Sequence, residues 1–452
     1  MIPKAMSFED HQDSEPMLAV NPANPLQIAG SAFTPDPGGG NLAPIYVSTD
    51  GGNTWVLNSI VPSASPDSDT ADISVAFGAS STLYAGIIRR PIVNDRTRLN
   101  ILRTNNFVGV TKMTVLVDRT GKGVDQPFVQ ALTATSGADK GKDRVYVGSN
   151  DFNATGGKTA TVDLSTNAAA AKPAFKTVRV ESRTTSGQDG PSVRPAIHND
   201  GTVYAVLHAW RTFDQATGMR TADIVVVRDD KAGAGGFNDL LDPADGKAGV
   251  RVVQNSKFNF DDSLGAERTG GAVSIAVDPT NSSVVYVSWA DNQPAGYTIH
   301  LRRSTDRGRT WSSSDLRTIV KATNPALAVN ASGKLAFLYQ QLTGSGAAQH
   351  WQTHVQRSSD GLNWQDTLLA DVPANNPAKQ FDPYIGDYCH VLSVGKDFFG
   401  IFSASNFPDP ANFPNGVVYQ RNHDFDTKKL FDVDGHTPIA VSIDPFFFKL
   451  TE

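Results

Sequence analysis

The chain has 452 residues, 39% of them apolar and 19% charged, with 39 Gly and 26 Pro, a mix that excludes a disordered or collagen-like polymer and suits short strands joined by tight turns. A formal net charge of -6 excludes a nucleic-acid groove or an anionic membrane surface as partner, since both need clustered Lys and Arg. No stretch approaches the ~20 apolar residues of a membrane span, and a single cysteine, Cys389, excludes an internal disulfide and a cysteine-based metal site.

The opening stretch MIPKAMSFEDHQDSEP lacks the apolar core of a secretory signal. A secreted or periplasmic chain whose signal had been removed would read the same, so the compartment stays open. From Glu15 onward one unit recurs at spacings of roughly 55 to 75 residues. Each copy is a short apolar strand, a turn rich in Gly, Asn, Asp or Pro, and a second apolar strand. The copies begin EPMLAV at Glu15, DISVAF at Asp72, QPFVQAL at Gln126, RPAI at Arg194, AVSIAV at Ala272, NPALAV at Asn324 and DPYIGDYCHVLSV at Asp382.

Strand-length runs on both sides of a turn predict hairpins. After most copies comes a third strand and another turn, as in IYVSTDGGNTWVLNSIV and YTIHLRRSTDRGRTWSSSDLRTIV. Four strands per unit and seven units account for nearly the whole chain. A sheet that is apolar on both faces must stack on its neighbours, and radial stacking leaves only short protected edges. The expectation is an all-β fold, a single β-propeller domain over residues 1–452 with about seven four-stranded blades, six being the alternative. The FFFKL run near the C-terminus is expected to complete a blade, and ring closure to pair one terminus with the other.

The turns after the third strands carry the most specific motif. Ser48-Thr49-Asp50-Gly51-Gly52-Asn53-Thr54-Trp55 and Ser304-Thr305-Asp306-Arg307-Gly308-Arg309-Thr310-Trp311 share the form S-x-D-x-G-x-T-W, and Ser358-Ser359-Asp360-Gly361-Leu362-Asn363-Trp364 is a shortened copy. Ser and Asp can accept from backbone N–H groups of a turn, Gly can take positive φ, and Trp can pack between sheets. These hairpins resemble the Asp boxes, or BNR repeats, of the sialidase-like superfamily. The resemblance implies that they lie at the periphery, away from the active site, so that Asp50, Trp55, Asp306, Trp311, Asp360 and Trp364 are structural.

In a propeller the starts of the innermost strands and the ends of the second strands converge on the central channel. The seven starts are Glu15, Asp72, Gln126, Arg194, Ala272, Asn324 and Asp382, five of them directly before proline. Second-strand ends and near neighbours add Arg89, Arg90, His208, Trp210, Arg211, Trp289, Asp291, Glu267, Arg268, Tyr384, Asp387 and Tyr388. Such a ring suits a glycan: carboxylates bond hydroxyls, Arg holds a carboxylate, and aromatic rings stack on a pyranose face. Glycoside hydrolysis needs two carboxyl groups in different protonation states, and Glu15, Asp72 and Asp382 are the candidates, with Glu267 behind them. Arg90, Arg194, Arg211, Arg268, Trp210, Trp289, Asp291 and Tyr384 are the candidate substrate-binding residues.

The same residues, in bland terms, form the solvated mouth of a channel, with acids before proline serving turns. A true sialidase would carry an arginine triad, a Tyr–Glu nucleophile pair, an acid Asp and an early R-I-P-like motif; the chain departs from this, with only Arg89-Arg90-Pro91 after the first Asp box. Arg90, Arg194 and Arg268 remain a candidate carboxylate clamp. A non-catalytic glycan- or protein-binding propeller is the alternative, and a polysaccharide lyase with His208 as base a further one. His198, in the turn HNDG, reads as structural, and Cys389 as packed. No transition-metal motif is present; the loop carboxylates Asp261 with Asp262, or Asp382 with Asp387, are compatible with calcium, and no other cofactor is expected.

Overall fold

The computed structural model describes residues 14–33, 45–58, 68–91, 97–109, 112–119, 123–152, 159–184, 192–379 and 384–452. Six consecutive four-stranded antiparallel sheets come first. The first holds β1 (Ser14–Val20), β2 (Ile28–Phe33), β3 (Ile45–Ser48) and β4 (Val56–Asn58); the second holds β5 (Ser68–Phe77), β6 (Leu83–Pro91), β7 (Arg98–Thr104) and β8 (Thr114–Arg119). The third holds β9 (Val124–Thr133), β10 (Asp143–Asp151), β11 (Ala160–Ser165) and β12 (Lys176–Arg179); the fourth, β13 (Val193–Ile197), β14 (Val203–Phe213), β15 (Arg220–Asp229) and β16 (Val250–Phe258). The fifth holds β17 (Val273–Asp278), β18 (Asn281–Gln293), β19 (Gly296–Ser304) and β20 (Arg317–Val320); the sixth, β21 (Ala322–Val329), β22 (Leu335–Thr343), β23 (His350–Ser358) and β24 (Gln365–Pro373).

The last sheet departs from the expected pattern. It has three strands among the described residues: β25 (His390–Val394), β26 (Asp397–Ser405) and, after a small separate sheet of β27 (His423–Asp424), β28 (Lys429–Phe431) and β29 (Pro438–Ile439), the C-terminal β30 (Ile443–Leu450). FFFKL does complete this blade, paired with β26. Among the described residues β1 pairs only with β2 and packs against the last sheet; the expected pairing of the two termini involves residues 1–13, which lie outside the described residues. No described helix is long and apolar enough to cross a membrane.

Residues of all seven inner strands, β1, β5, β9, β13, β17, β21 and β25, line one axial channel of about 440 Å³. The cores lie between sheets, because each inner strand is apolar on both faces. Met17 and Ala19 pack with Ile73 and Val75 of the second sheet, while their alternates Leu18 and Val20 pack with Phe399 and Ile401 of the last. At this seam Trp55 meets Phe447 edge-on at 5.4 Å; burying each such ring contributes about 1.5–3 kcal/mol.

The S-x-D-x-G-x-T-W turns join third to fourth strands, and their hydrogen bonds explain the spacing. Gly52 N donates to Ser48 Oγ at 2.9 Å, Thr54 N to Asp50 Oδ1 at 2.9 Å and Thr54 Oγ1 to Asp50 Oδ2 at 2.6 Å. The same bonds recur around Ser304 and Asp306. In the shortened copy, Leu362 N and Asn363 N donate to Asp360. Trp55 is buried, and Trp311 and Trp364 pack half-buried against the adjacent cores. Hydrogen bonds from Thr54 hold the Asp50 carboxyl down at about 2.

Candidate functional site

Four inner strands begin with a bulge. Ladder register shifts between Ser14 and Met17 of β1, between Thr70 and Ile73 of β5, opposite Gly148 and Asn150 in β9, and between Thr323 and Ala326 of β21. Glu15, Asp72, Gln126 and Asn324 fall within these bulges. Three of them, Glu15, Gln126 and Asn324, take left-handed backbone with φ of 56°, 49° and 56°. The proline that follows each has no N–H to leave unpaired where the ladder is broken. Left-handed backbone at a non-glycine residue costs about 1–3 kcal/mol, so the fold spends stability to aim these side chains at one place.

That place is a nearly water-free polar cluster at one end of the channel. Glu15, Asp72, Gln126, Arg194 and Asp387 are each less than a tenth exposed, and Asn324 and Glu267 are fully enclosed. Glu15 Oε1 accepts from Asp387 N at 3.2 Å, and the Asp72 carboxyl is its electrostatic neighbour. Arg268 NH1 donates to Asp387 Oδ2 at 2.6 Å, and Gln126 Nε2 reaches the same oxygen at 3.4 Å. Arg194 NH2 and Ser192 Oγ both donate to Gln126 Oε1. The Arg194 guanidinium lies over the rings of Phe128 at 4.8 Å and Tyr388 at 5.4 Å.

Burial, followed by the charges of Asp387 and Asp72, pushes the Glu15 carboxyl well above the ordinary glutamate value. Asp72 is raised by burial and Asp387, against the pull of Arg268. Burial raises Glu267, which accepts from Ile385 N at 3.0 Å and so props the segment carrying Asp387. Burial would lower Arg268, but Asp387, Glu15, Asp125 and Asp72 outweigh it and hold the cation. The cluster therefore sets two kinds of carboxyl side by side: Glu15 and Asp72, raised by burial, and Asp387, paired with Arg268.

Gly386 makes the junction close enough. It sits at φ 86°, and a Cβ there would lie 2.7 Å from the Glu15 backbone nitrogen; its carbonyl accepts from Asn324 Nδ2 at 3.0 Å.

Of the residues expected from sequence, Glu15, Asp72, Arg194 and Arg268 come together. Asp382 and the Arg90 side chain lie outside the described residues. Arg211 is engaged by Asp223 at 2.8 Å and Glu181 at 3.3 Å. Trp210 is buried against His208 and Phe258, Trp289 stacks on His300 at 5.0 Å, and Asp291 bonds His300 Nε2 at 3.0 Å. Tyr384 Oη donates to Pro377 O. His208 is enclosed, and burial pushes it down to about 3; Cys389 is buried with Sγ on Gln340 Oε1. His198 bonds within its turn and to Pro279 O.

Asp387 is the group that the repeat alignment left aside as a neighbour. The seventh start was set at Asp382-Pro383 by its match to Glu15-Pro16, whereas counting back from the strand HVLSV leads to Asp387 and Tyr388. For metals, among the described residues no group of three or more His, Cys, Asp or Glu is arranged to hold an ion. Asp261 instead accepts from Ser263 N and Oγ, and Asp387 is paired with Arg268.

No family model matches the chain, and no curated protein matches it in sequence. Among solved structures it is similar to the phage phi92 endosialidase, at 13% identity over all of this chain and 68% of that one, with a TM-score of 0.43. It is similar also to an α-L-arabinofuranosidase from Fusarium graminearum, at 13% identity, 78% and 95% coverage and a TM-score of 0.48. A third is Sqt1 from Chaetomium thermophilum bound to the N-terminus of the ribosomal protein L10, at 15% identity, 87% and 84% coverage and a TM-score of 0.40. Likeness at this level carries no inference about what the chain does.

Proposed function

We propose that residues 1–452 form one carbohydrate-active propeller, of the Asp-box kind but divergent from sialidases, that hydrolyses glycosidic bonds at the axial end where Glu15, Asp72 and Asp387 meet. The observation that carries this reading is one buried cluster that holds Glu15 and Asp72, both raised by burial, beside Asp387, which accepts from Arg268 at 2.6 Å. Hydrolysis of a glycoside asks for that division of labour. In this reading the Glu15–Asp72 unit protonates the leaving oxygen, and Asp387 acts as base or nucleophile. Arg268 holds Asp387 in place, Arg194 forms the floor, and Glu267 is a positioning residue.

The test is a panel of chromogenic aryl glycosides with the wild-type protein, Glu15→Gln and Asp387→Asn. Each variant is expected to lose kcat by about 100-fold or more, and unchanged turnover in both removes the two residues from the mechanism. The non-catalytic alternative is favoured by one observation: the hydrogen bonds of the cluster are largely satisfied internally. A glycan-array signal that survives in Glu15→Gln, with no turnover of any glycoside by wild type, would select it. The lyase alternative predicts new absorbance near 235 nm on uronate polymers, abolished in His208→Ala; the enclosure of His208 weighs against it.

A further inference from the structure

One aromatic ring stands in water on the face that carries the carboxyl cluster. The second strand β14 leaves its partner β13 at the pair Val193–Leu207 and continues to Phe213. Its last residues therefore rise beyond the inner-strand start that brings Arg194 to the cluster. Phe213 is 42% exposed, the most open aromatic side chain among the described residues.

The ring is held in place. Phe213 and Arg220 face each other across the head of the β14–β15 hairpin, and the Arg220 guanidinium lies over the Phe213 ring at 4.9 Å. Asp214 fastens the turn between them: its carboxylate accepts from Ala216 N and Thr217 Oγ1, each at 2.9 Å, and its N–H donates to Met219 O at 2.8 Å. Arg220 NH1 donates to Gly218 O at 2.8 Å. A cation stacked on one face of a ring fixes its plane, so the exposed surface is the opposite face.

A line of contacts joins this ring to the cluster. Arg220 also lies over Phe260 at 3.9 Å, and Arg268 lies over the same Phe260 ring at 5.3 Å, while Arg268 NH1 donates to Asp387 at 2.6 Å. Next to Phe260 in sequence, the half-buried Asn259 bonds the half-buried Asn292, and an amide has more donors and acceptors than one such contact uses. Rings and amides thus follow one another outward from the axial cluster over the fourth and fifth sheets. Trp210 and Trp289, expected to stack on a sugar, are buried; Phe213 is the ring left open for it.

We propose that Phe213 is the stacking platform for a sugar unit remote from the scissile bond, so that the ligand of this face is a polysaccharide chain running outward from the cluster and not a single terminal sugar. The platform rests on the carbohydrate-active reading above, though not on which carboxyl serves as acid. The C–H face of a sugar packs on an aromatic ring while its hydroxyls find amides at the rim. Phe213 stands beyond Arg268, Phe260 and Arg220 from Asp387, which makes chain length the property it reads.

The test is a glycan array, followed by titration of the best long-chain ligand and its terminal disaccharide. Phe213→Ala and Phe213→Tyr are compared with their parent in a Glu15→Gln background, so that turnover does not consume the ligand. The parent should bind a chain of about five sugars roughly tenfold more tightly than the disaccharide, and Phe213→Ala should lose about tenfold on the long chain and less on the short one. Phe213→Tyr, which keeps the ring, should retain the long-chain affinity. Equal affinity of the parent for both lengths, an unchanged long-chain affinity in Phe213→Ala, or no array signal overturns the proposal. Length-dependent binding through Phe213 without cleavage of any glycoside by wild type sinks the hydrolytic reading and leaves the platform standing; cleavage by wild type with no effect of Phe213→Ala does the reverse.

Discussion

The peripheral turns and the axial cluster use the same side chain to opposite ends. Asp50 and Asp306 accept hydrogen bonds from residues four positions away, half in water, and their carboxyls are held low. Glu15 and Asp72 are brought together across separate sheets, stripped of water and pushed up. A carboxylate given N–H donors locally keeps its charge and fastens a hairpin, whereas one buried among other carboxyls keeps its proton and becomes available for chemistry. The contrast separates a hairpin fastening from a buried acid cluster by local physics alone.

The largest effect should come from removing the cation of the axial cluster. Arg268→Met leaves Asp387 buried without its ion pair, a loss of about 3–5 kcal/mol, measured as a shift of the denaturant midpoint; a shift no larger than that of a turn variant would erase the distinction between the two regions. Gly386→Ala comes next, at about 3 kcal/mol, because it adds strain at positive φ and a clash with the Glu15 backbone. Here melting temperature and turnover should fall together.

Asp50→Ala should cost about 1 kcal/mol, the size of a lost turn or cap bond. The folded pKa of Asp50 is depressed, so its contribution is present above the ordinary aspartate value and fades as pH falls toward about 2. Melting curves of wild type and Asp50→Ala should therefore converge in acid.

Glu15→Gln sharpens the comparison with the smallest change in stability in acid, within about 1 kcal/mol, because there the carboxyl is protonated in the folded and unfolded chain alike and glutamine mimics it. Its folded pKa is raised, so the sign is reversed: stability is complete below the ordinary glutamate value and is lost as pH rises through the folded one. The variant should flatten that decline with rising pH, and an unchanged slope would show that Glu15 is not the group that keeps the proton.

The repeat, the hairpins and the motif turns were legible in sequence because each is written within a few residues. Their strand periodicity and turn chemistry do not depend on distant partners. The converging inner-strand starts could be read as well, and so Glu15, Asp72, Arg194 and Arg268 were found. What could not be read was the bulge, which turns an x-Pro start from a cap into an aiming device, and the place of Asp387, which lies five residues past the seventh start at Asp382. Nor does sequence tell which aromatic groups face open space: Trp210 and Trp289 end second strands as expected, but their faces are taken by Phe258 and His300.

The seam between first and last blades has a consequence for synthesis. Chains emerge N-terminus first, so Glu15 is made long before Asp387, its partner across the seam. Until that segment docks, the Glu15 carboxyl lacks the burial that raises it and has no Arg268-held carboxylate beside it. A nascent chain that lacks the last sheet would not yet hold Glu15 against Asp387, so the raised Glu15 carboxyl belongs to the finished ring alone.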